Sequence, residues 1–296
     1  MKKKEGVNMT SKPRVSLVLL LLAAALGVYV SRPVAAQQKP APPATPRIYI
    51  FDNGAITGLD PQLFGFTRQE IKEPDFVAVS YLIVHPRGTL MFDSGEIPDA
   101  DFKAGTPAGD GIMRATRPLM PQMAAAGYKP ADVTWFALSH YHSDHTANAN
   151  AFAGATWIVQ KAEREAMFAG TPASIMKPAH FSALQNAKTK LLDNEDFDVF
   201  GDGTVVIKTA PGHTPGHQVL FVKLARRGPV LLVGDLYLYP EEITTGKTPS
   251  FEWNAEISKA SRAKVQAFLK QSGAEMWIEH DKATNDKLPK APAYIE

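Results

Sequence analysis

Residues 139–145 read Ser-His-Tyr-His-Ser-Asp-His, which places His140, His142, Asp144 and His145 within six positions. They follow directly on Trp135 to Leu138, a short apolar run that reads as a buried strand. In extended backbone, residues two apart point the same way, so His140 and His142 can share one metal ion. Asp144 and His145 come after the chain turns and can face a second ion beside the first. Imidazole and carboxylate together suit a borderline-soft divalent cation, most simply zinc.

Further histidines and an aspartate stand at other strand ends. His213 lies in Pro211-Gly212-His213-Thr214-Pro215-Gly216-His217, between the strand-like runs Val205 to Thr209 and Gln218 to Val222. Asp235 ends the apolar run Val230 to Val233, where a carboxylate needs a partner and a metal is one. His280 follows the short run Met276 to Ile278. Five of the eight histidines thus belong to one candidate site. Of the others, His217 reads as a supporting or hydrogen-bonded core residue and His85 as an exposed residue before a turn. His180 lies in a loop and could line the pocket.

The remaining patterning is that of sheets covered by helices. Arg47 to Phe51 and Thr156 to Gln160 read as strands. Val77 to His85 and Thr89 to Asp93 read as a hairpin around Pro86-Arg87-Gly88. Pro118 to Ala126, Lys161 to Phe168 and Ser258 to Gln271 read as helices, the last with Val265, Phe268 and Leu269 inward. No internal repeat and no second composition regime appears, so residues 47–296 read as one α/β domain.

Before that domain come a leader and a linker. Lys2, Lys3, Lys4, Lys12 and Arg14 precede the apolar run Val15 to Val30, and Val34-Ala35-Ala36 supplies small residues at a cleavage site. Residues 1–36 therefore read as a secretory signal peptide, with no stable membrane anchor after cleavage and a periplasmic or secreted product. Residues 37–46 form a Pro/Ala-rich linker. The leader carries six of the 32 basic residues and one of the 30 acidic ones, leaving 26 against 29 and a net charge of −3. Nothing in that balance points to nucleic acid. The chain has no cysteine, which excludes disulfides, thiolate-held zinc, iron–sulfur clusters and a thiol nucleophile.

The His140-to-His145 motif, the Pro211-to-His217 segment, Val233-Gly234-Asp235 and Ile278-Glu279-His280, in this order, resemble the metallo-β-lactamase superfamily. The resemblance implies a four-layer αββα sandwich with the site at one edge of two facing sheets. It also implies two Zn2+ per chain. His140, His142 and His213 would hold one, Asp144, His145 and His280 the other, and Asp235 with a hydroxide would bridge them. Asp93, in Phe92-Asp93-Ser94-Gly95, would support the ligands.

Within that superfamily, Leu82 to Thr89, Trp157 to Glu163 and His213 to Gln218 look like N-acyl-homoserine lactonases. The implied reaction is opening of the lactone ring, with Asp144 orienting the attacking hydroxide and taking its proton. Homodimers are common among such enzymes. They carry a tyrosine three residues after the bridging aspartate, which polarises the lactone carbonyl. Here that position is Leu238, flanked by Tyr237 and Tyr239, either of which could supply the hydroxyl. An organophosphate triesterase or aryl esterase is the alternative. The thiolate-dependent β-lactamases are excluded, Asp235 argues against the remaining β-lactamase type, and no basic cluster near the C-terminus favours a glyoxalase II-like thioesterase. A non-catalytic zinc protein is disfavoured because all seven ligands are kept. Phe64, Phe66, Phe102, Met113, Phe251 and Trp253 are candidates for an apolar pocket wall, with ordinary core or interface packing as the alternative.

Overall fold

The computed structural model describes residues 39–170 and 175–296. The leader, residues 1–36, lies outside the described residues. Of the linker, residues 39–46 are described and carry no helix or strand, with Pro43 and Pro46 buried. Among the described residues no helix is long and apolar enough to cross a membrane.

Alternation along the strands builds the layers. In β1 (Arg47–Ile56), Ile48 and Ile50 point to one face while Tyr49 and Phe51 point to the other, and all four are buried. A strand buried on both faces must lie in a sheet covered on both sides. β1 pairs antiparallel with β2 (Phe76–His85), and β2 with β3 (Gly88–Phe92). The short strands β4 (Ala108–Gly109) and β5 (Met113–Ala115) extend one edge. β6 (Trp135–Ala137), β7 (Thr156–Gln160) and β8 (Thr189–Leu192) continue the other edge in parallel. The second sheet holds β9 (Phe197–Asp198), β10 (Val205–Thr209), β11 (Gln218–Leu224), β12 (Gly228–Leu232) and β13 (Glu275–Trp277). β14 (Tyr294–Ile295) returns to pair with β1.

Ile48, Ile50, Val79 and Ile83 of the first sheet pack against Ile207, Leu220, Val222 and Leu232 of the second. On the far side of the first sheet, Tyr49, Phe51 and Phe136 meet Leu119 and Met123 of helix α1 (Leu119–Ala125). On the far side of the second sheet, Val219, Phe221 and Leu231 meet Val265, Phe268 and Leu269. These last three residues lie on the long helix Ala255–Ser272. This is the expected αββα sandwich.

The long helix begins three residues before its amphipathic pattern does. Asn254 caps it, accepting from the backbone N–H groups of Glu256 and Ile257 at 3.1 Å, and Gly273 ends it in the left-handed region at φ 67°. In the first turn Glu256 and Ile257 are exposed, so the inward-facing pattern starts only at Ser258. His85 departs from the reading as an exposed residue. The loop after β9 covers the hairpin end, so His85 is buried, stacked on Phe200 at 4.2 Å, with its Nε2 2.9 Å from Asp202.

Glu96 is buried with both carboxylate oxygens unpartnered. It sits against the bulge in β1, where a Cβ on Gly54 would come 2.2 Å from its Oε1. Burial, then repulsion from Asp144, Asp110 and Asp52, pushes this carboxyl up to about 9. The folded metal-free protein therefore keeps a proton that the unfolded chain releases near 4.5. Stability from this group is complete below that value and is lost as pH rises toward about 9. Glu96→Gln is expected to raise the thermal midpoint at pH 8 and to change it little at pH 4.5. Equal midpoint differences at the two pH values would contradict a neutral Glu96.

Candidate metal centre

After β6 the chain runs extended to His142, at φ −65° and ψ 154°, and then turns into α2 (Ser143–Thr146). The extended stretch turns His140 and His142 to one place, and α2 carries Asp144 and His145 to the adjacent one. His213 arrives from the loop between β10 and β11. Asp235 stands in the tight turn after β12, where its backbone departs from helical values at φ −96° and ψ 16°. His280 stands just beyond β13.

These seven side chains form two sets sharing one member. Donor atoms of His140, His142, His213 and Asp235 lie within 4.8 Å of one another, as do those of Asp144, His145, Asp235 and His280. Asp235 divides its oxygens between them. Oδ1 is 3.2 Å from His145 Nε2 and 3.1 Å from His280 Nε2. Oδ2 is 3.4 Å from His213 Nε2 and 3.6 Å from His140 Nε2. Asp144 Oδ2 completes the second set, 3.6 Å from His145 Nε2 and 3.5 Å from His280 Nε2.

The donor set fits divalent cations. His140 Nε2, His145 Nε2 and Asp235 Oδ1 are buried without a hydrogen-bond partner, although each points into the cluster. Burial, then the surrounding imidazoles, holds His140 and His142 well below the ordinary histidine value. Burial opposes protonation of His145, but Glu279, Asp235, Asp144 and Asp93 outweigh it and raise its pKa. So many buried carboxylates need positive charge among them, which bound cations supply in place of protons.

Most of the clustered imidazoles are braced from behind. Asp93 accepts from Ser139 N at 2.6 Å and places Oδ2 3.3 Å from His145 Nδ1. It does so at φ 60°, a left-handed conformation that costs a non-glycine residue about 1–2 kcal/mol. Glu279 lies 3.3 Å from the same Nδ1. His280 Nδ1 donates to the Val77 carbonyl at 2.8 Å, which leaves its Nε2 bare toward the cluster. Ser139 Oγ lies 3.0 Å from His140 Nδ1. His217 is not a ligand; its Nε2 accepts from Asp235 N at 3.2 Å. Burial first, then His213, lowers its pKa to about 3, so it stays neutral and can accept.

Glu163, on α3 (Lys161–Met167), joins the two loops that carry His140, His142 and His213. Its carboxylate accepts from Tyr141 N, Thr214 Oγ1 and Gly216 N, each at 2.8 Å. Burial pushes it up to about 7 against the pull of these donors. Glu163 and Glu279 both escaped the sequence reading as supports. The available signal was an acid facing inward, as for Glu163 beside buried Met167 on one short helix.

The cluster forms the floor of a pocket of about 500 Å3. Ile56, Leu63, Phe64, Met113, Leu238, Phe251 and Trp253 are among its walls. Phe66 is instead packed beneath the wall beside Tyr239, and Phe102 belongs with Ile97, Ala108 and Ala115 elsewhere. His180 does not line the pocket; its Nδ1 lies 3.4 Å from Thr146 Oγ1 behind α2.

The proposed roles of Tyr237 and Tyr239 do not match their placement. The Tyr237 hydroxyl accepts from Gln266 Nε2 at 3.1 Å, and Arg262 stacks over its ring at 4.6 Å. The Tyr239 hydroxyl donates to the Pro74 carbonyl at 3.0 Å, within the aromatic cluster of Phe64, Phe66 and Phe76. The turn at Asp235 sends Leu238 to the pocket and both phenols away from it.

Comparison with known proteins places this architecture. The sequence profile described as the metallo-beta-lactamase superfamily matches residues 74–268. The N-acyl homoserine lactonase AttM of Azorhizobium caulinodans is 30% identical over 231 residues, covering 73% of this chain and 86% of that protein. The N-acyl homoserine lactonase AiiA of Bacillus thuringiensis subsp. kurstaki is 28% identical over 222 residues, covering 73% and 85%. An N-acyl homoserine lactone hydrolase, solved with its product N-hexanoyl-L-homoserine at the catalytic metal centre, has the same fold. Its TM-score is 0.70 at 22% identity, over 85% of this chain and 99% of that one. AidC, a dizinc quorum-quenching lactonase, gives a TM-score of 0.57 at 20% identity, over 79% and 87%. The profile match spans most of the described fold and every one of the seven clustered residues but His280, so the chain belongs to the metallo-beta-lactamase superfamily and is one of its metal-dependent hydrolases.

Proposed function

We propose that this protein opens the ring of N-acyl homoserine lactones, using two zinc ions held by His140, His142, Asp144, His145, His213, Asp235 and His280. The single observation that carries this reading is the divided carboxylate of Asp235, with one oxygen on each ligand set, beneath an apolar pocket. The lactonase relatives named above support the substrate class.

Bound zinc ions supply acidity to a water molecule and polarise the attacked carbonyl. The protein's own groups do the rest. Asp144 is the most open carboxylate of the cluster, with its side chain 14% exposed and facing the pocket. It orients the water and takes its proton as the oxygen adds to the ring carbonyl. The ring C–O bond then breaks, and the departing oxygen takes the proton held by Asp144 to give the N-acyl homoserine. The acyl tail lies against Phe64, Phe251 and Trp253, where apolar burial contributes about 25 cal/mol per Å2. The leader pattern of residues 1–36 supports action after export, in the periplasm or the medium.

Leu238 favours a second reading. It lines the pocket where the lactonase resemblance expects a tyrosine. An aryl ester or phosphotriester, which has a better leaving group, makes less demand on that missing hydroxyl. The test is a pH-indicator assay of zinc-loaded residues 37–296 with short- and long-chain acyl-homoserine lactones, and with paraoxon and an aryl ester in parallel. Lactone opening well above the other rates is expected. Untouched lactones with rapid cleavage of an ester or phosphotriester would move the substrate class to the second reading.

A further inference from the structure

The segment around Glu252 touches the metal cluster and the pocket wall at once. Phe251 and Trp253 line the pocket, while the Glu252 side chain between them turns inward and is only 1% exposed. Its Oε1 stands 3.6 Å from His213 Nδ1 and 3.8 Å from Arg262 Nη2. Neither oxygen of Glu252 has a hydrogen-bond partner, and His213 Nδ1 has none either. On its other side, His213 turns Nε2 into the cluster, 3.1 Å from His142 Nδ1.

The backbone locks these groups into one unit. Trp253 N donates to the His213 carbonyl at 3.1 Å, and Asn254 N donates to the Gly212 carbonyl at 2.9 Å. Gly212, at φ 136°, lets this loop press on the long helix, since a Cβ there would come 2.3 Å from the Ser258 backbone. Arg262 anchors the arrangement from below. It binds Glu242 Oε2 at 2.6 Å and donates to the carbonyls of Leu236 at 2.7 Å and Lys247 at 2.6 Å.

We propose that Glu252 is a positioning residue that couples metal binding to the shape of the substrate pocket. Its carboxylate faces His213 Nδ1 at 3.6 Å, favours the tautomer that carries the proton there, and so holds Nε2 bare toward the cation. Because Glu252 is flanked by Phe251 and Trp253, filling the three-histidine set also orders the aromatic wall. Linkage then requires that ordering the wall tightens the cation by the same factor. The inference rests on the metal reading above and can fail without it.

Glu252→Leu keeps bulk alone, while Glu252→Gln keeps an acceptor oxygen. Arg262 retains Glu242 in both, so both variants are expected to fold. Zinc titration against a chromophoric chelator is expected to show the affinity of one ion weakened about 10- to 100-fold in the Leu variant and less in the Gln variant. Zinc added to the metal-free wild type is expected to shift the emission of Trp253, which is 52% exposed, with Trp253→Phe identifying the signal. The shift should be absent from the Leu variant even at saturating zinc. Wild-type zinc affinity in Glu252→Leu would overturn the positioning role. A Trp253 signal indifferent to zinc in the wild type would overturn the coupling. A wild type that binds no zinc would instead remove the metal reading itself.

Discussion

Asp235→Ala is expected to lower turnover by about a thousandfold and, on the two-zinc reading proposed above, to leave one bound zinc ion per chain or none. The residue carries this weight because its two oxygens serve different ligand sets, at 3.1–3.2 Å from His145 and His280 and at 3.4–3.6 Å from His213 and His140. Its loss leaves five buried imidazoles without the charge that sits between them. A metal ion supplies several kcal/mol of charge stabilisation in such reactions, and 1.36 kcal/mol is a factor of ten in rate. About 4 kcal/mol therefore corresponds to about three decades. Asp235→Asn keeps one acceptor oxygen in the same shape and is expected to retain the ion on that side. Metal analysis of the purified variants, alongside kcat with the best substrate, decides the matter. Two zinc ions and full turnover in Asp235→Ala would show that the aspartate does not bridge.

The second large effect is on stability. Glu163→Ala removes the acceptor used by Tyr141 N, Thr214 Oγ1 and Gly216 N, all of them buried. A buried donor left unsatisfied costs about 1–3 kcal/mol, so the variant is expected to lose about 3–6 kcal/mol. In a domain of this size each kcal/mol lowers the thermal midpoint by about 2–4 °C, which predicts a fall of about 6–24 °C. Zinc content should fall with it, because the two loops that Glu163 joins carry His140, His142 and His213. Glu163→Gln keeps one acceptor and is expected to lose about half as much. Circular dichroism melts of the zinc-loaded and chelator-treated proteins separate the two contributions. A midpoint within 3 °C of wild type would mean that the loops hold their geometry without Glu163.

Other parts of the structure were legible at different depths. The layers could be read because strand alternation is local. Ile48 and Ile50 against Tyr49 and Phe51 are apolar on both faces, as a sheet covered on both sides requires, while the facing of the two sheets came with the family resemblance. The ligand motif was local too, since extended backbone followed by a turn is enough to aim His140, His142, Asp144 and His145. The short strands Ala108–Gly109, Phe197–Asp198 and Tyr294–Ile295 were not legible, because two residues carry no period.

By itself, then, the sequence offered sheets covered by helices, the candidate metal-binding residues and the absence of thiol chemistry, each a matter of residue type and short-range spacing, while the αββα layer order came with the family resemblance. Tertiary structure alone decided what stands behind the ligands and which side chains reach the pocket. Glu279 stands behind His145 from 134 positions away, and Glu163 ties together the loops that carry His140, His142 and His213. Tyr237 and Tyr239 flank Leu238, yet only Leu238 reaches the pocket, because a turn of three residues at Asp235 resets the side-chain directions. Beyond such a turn, neither period 2 nor period 3.6 carries over, and direction is set by which distant surface the side chain meets.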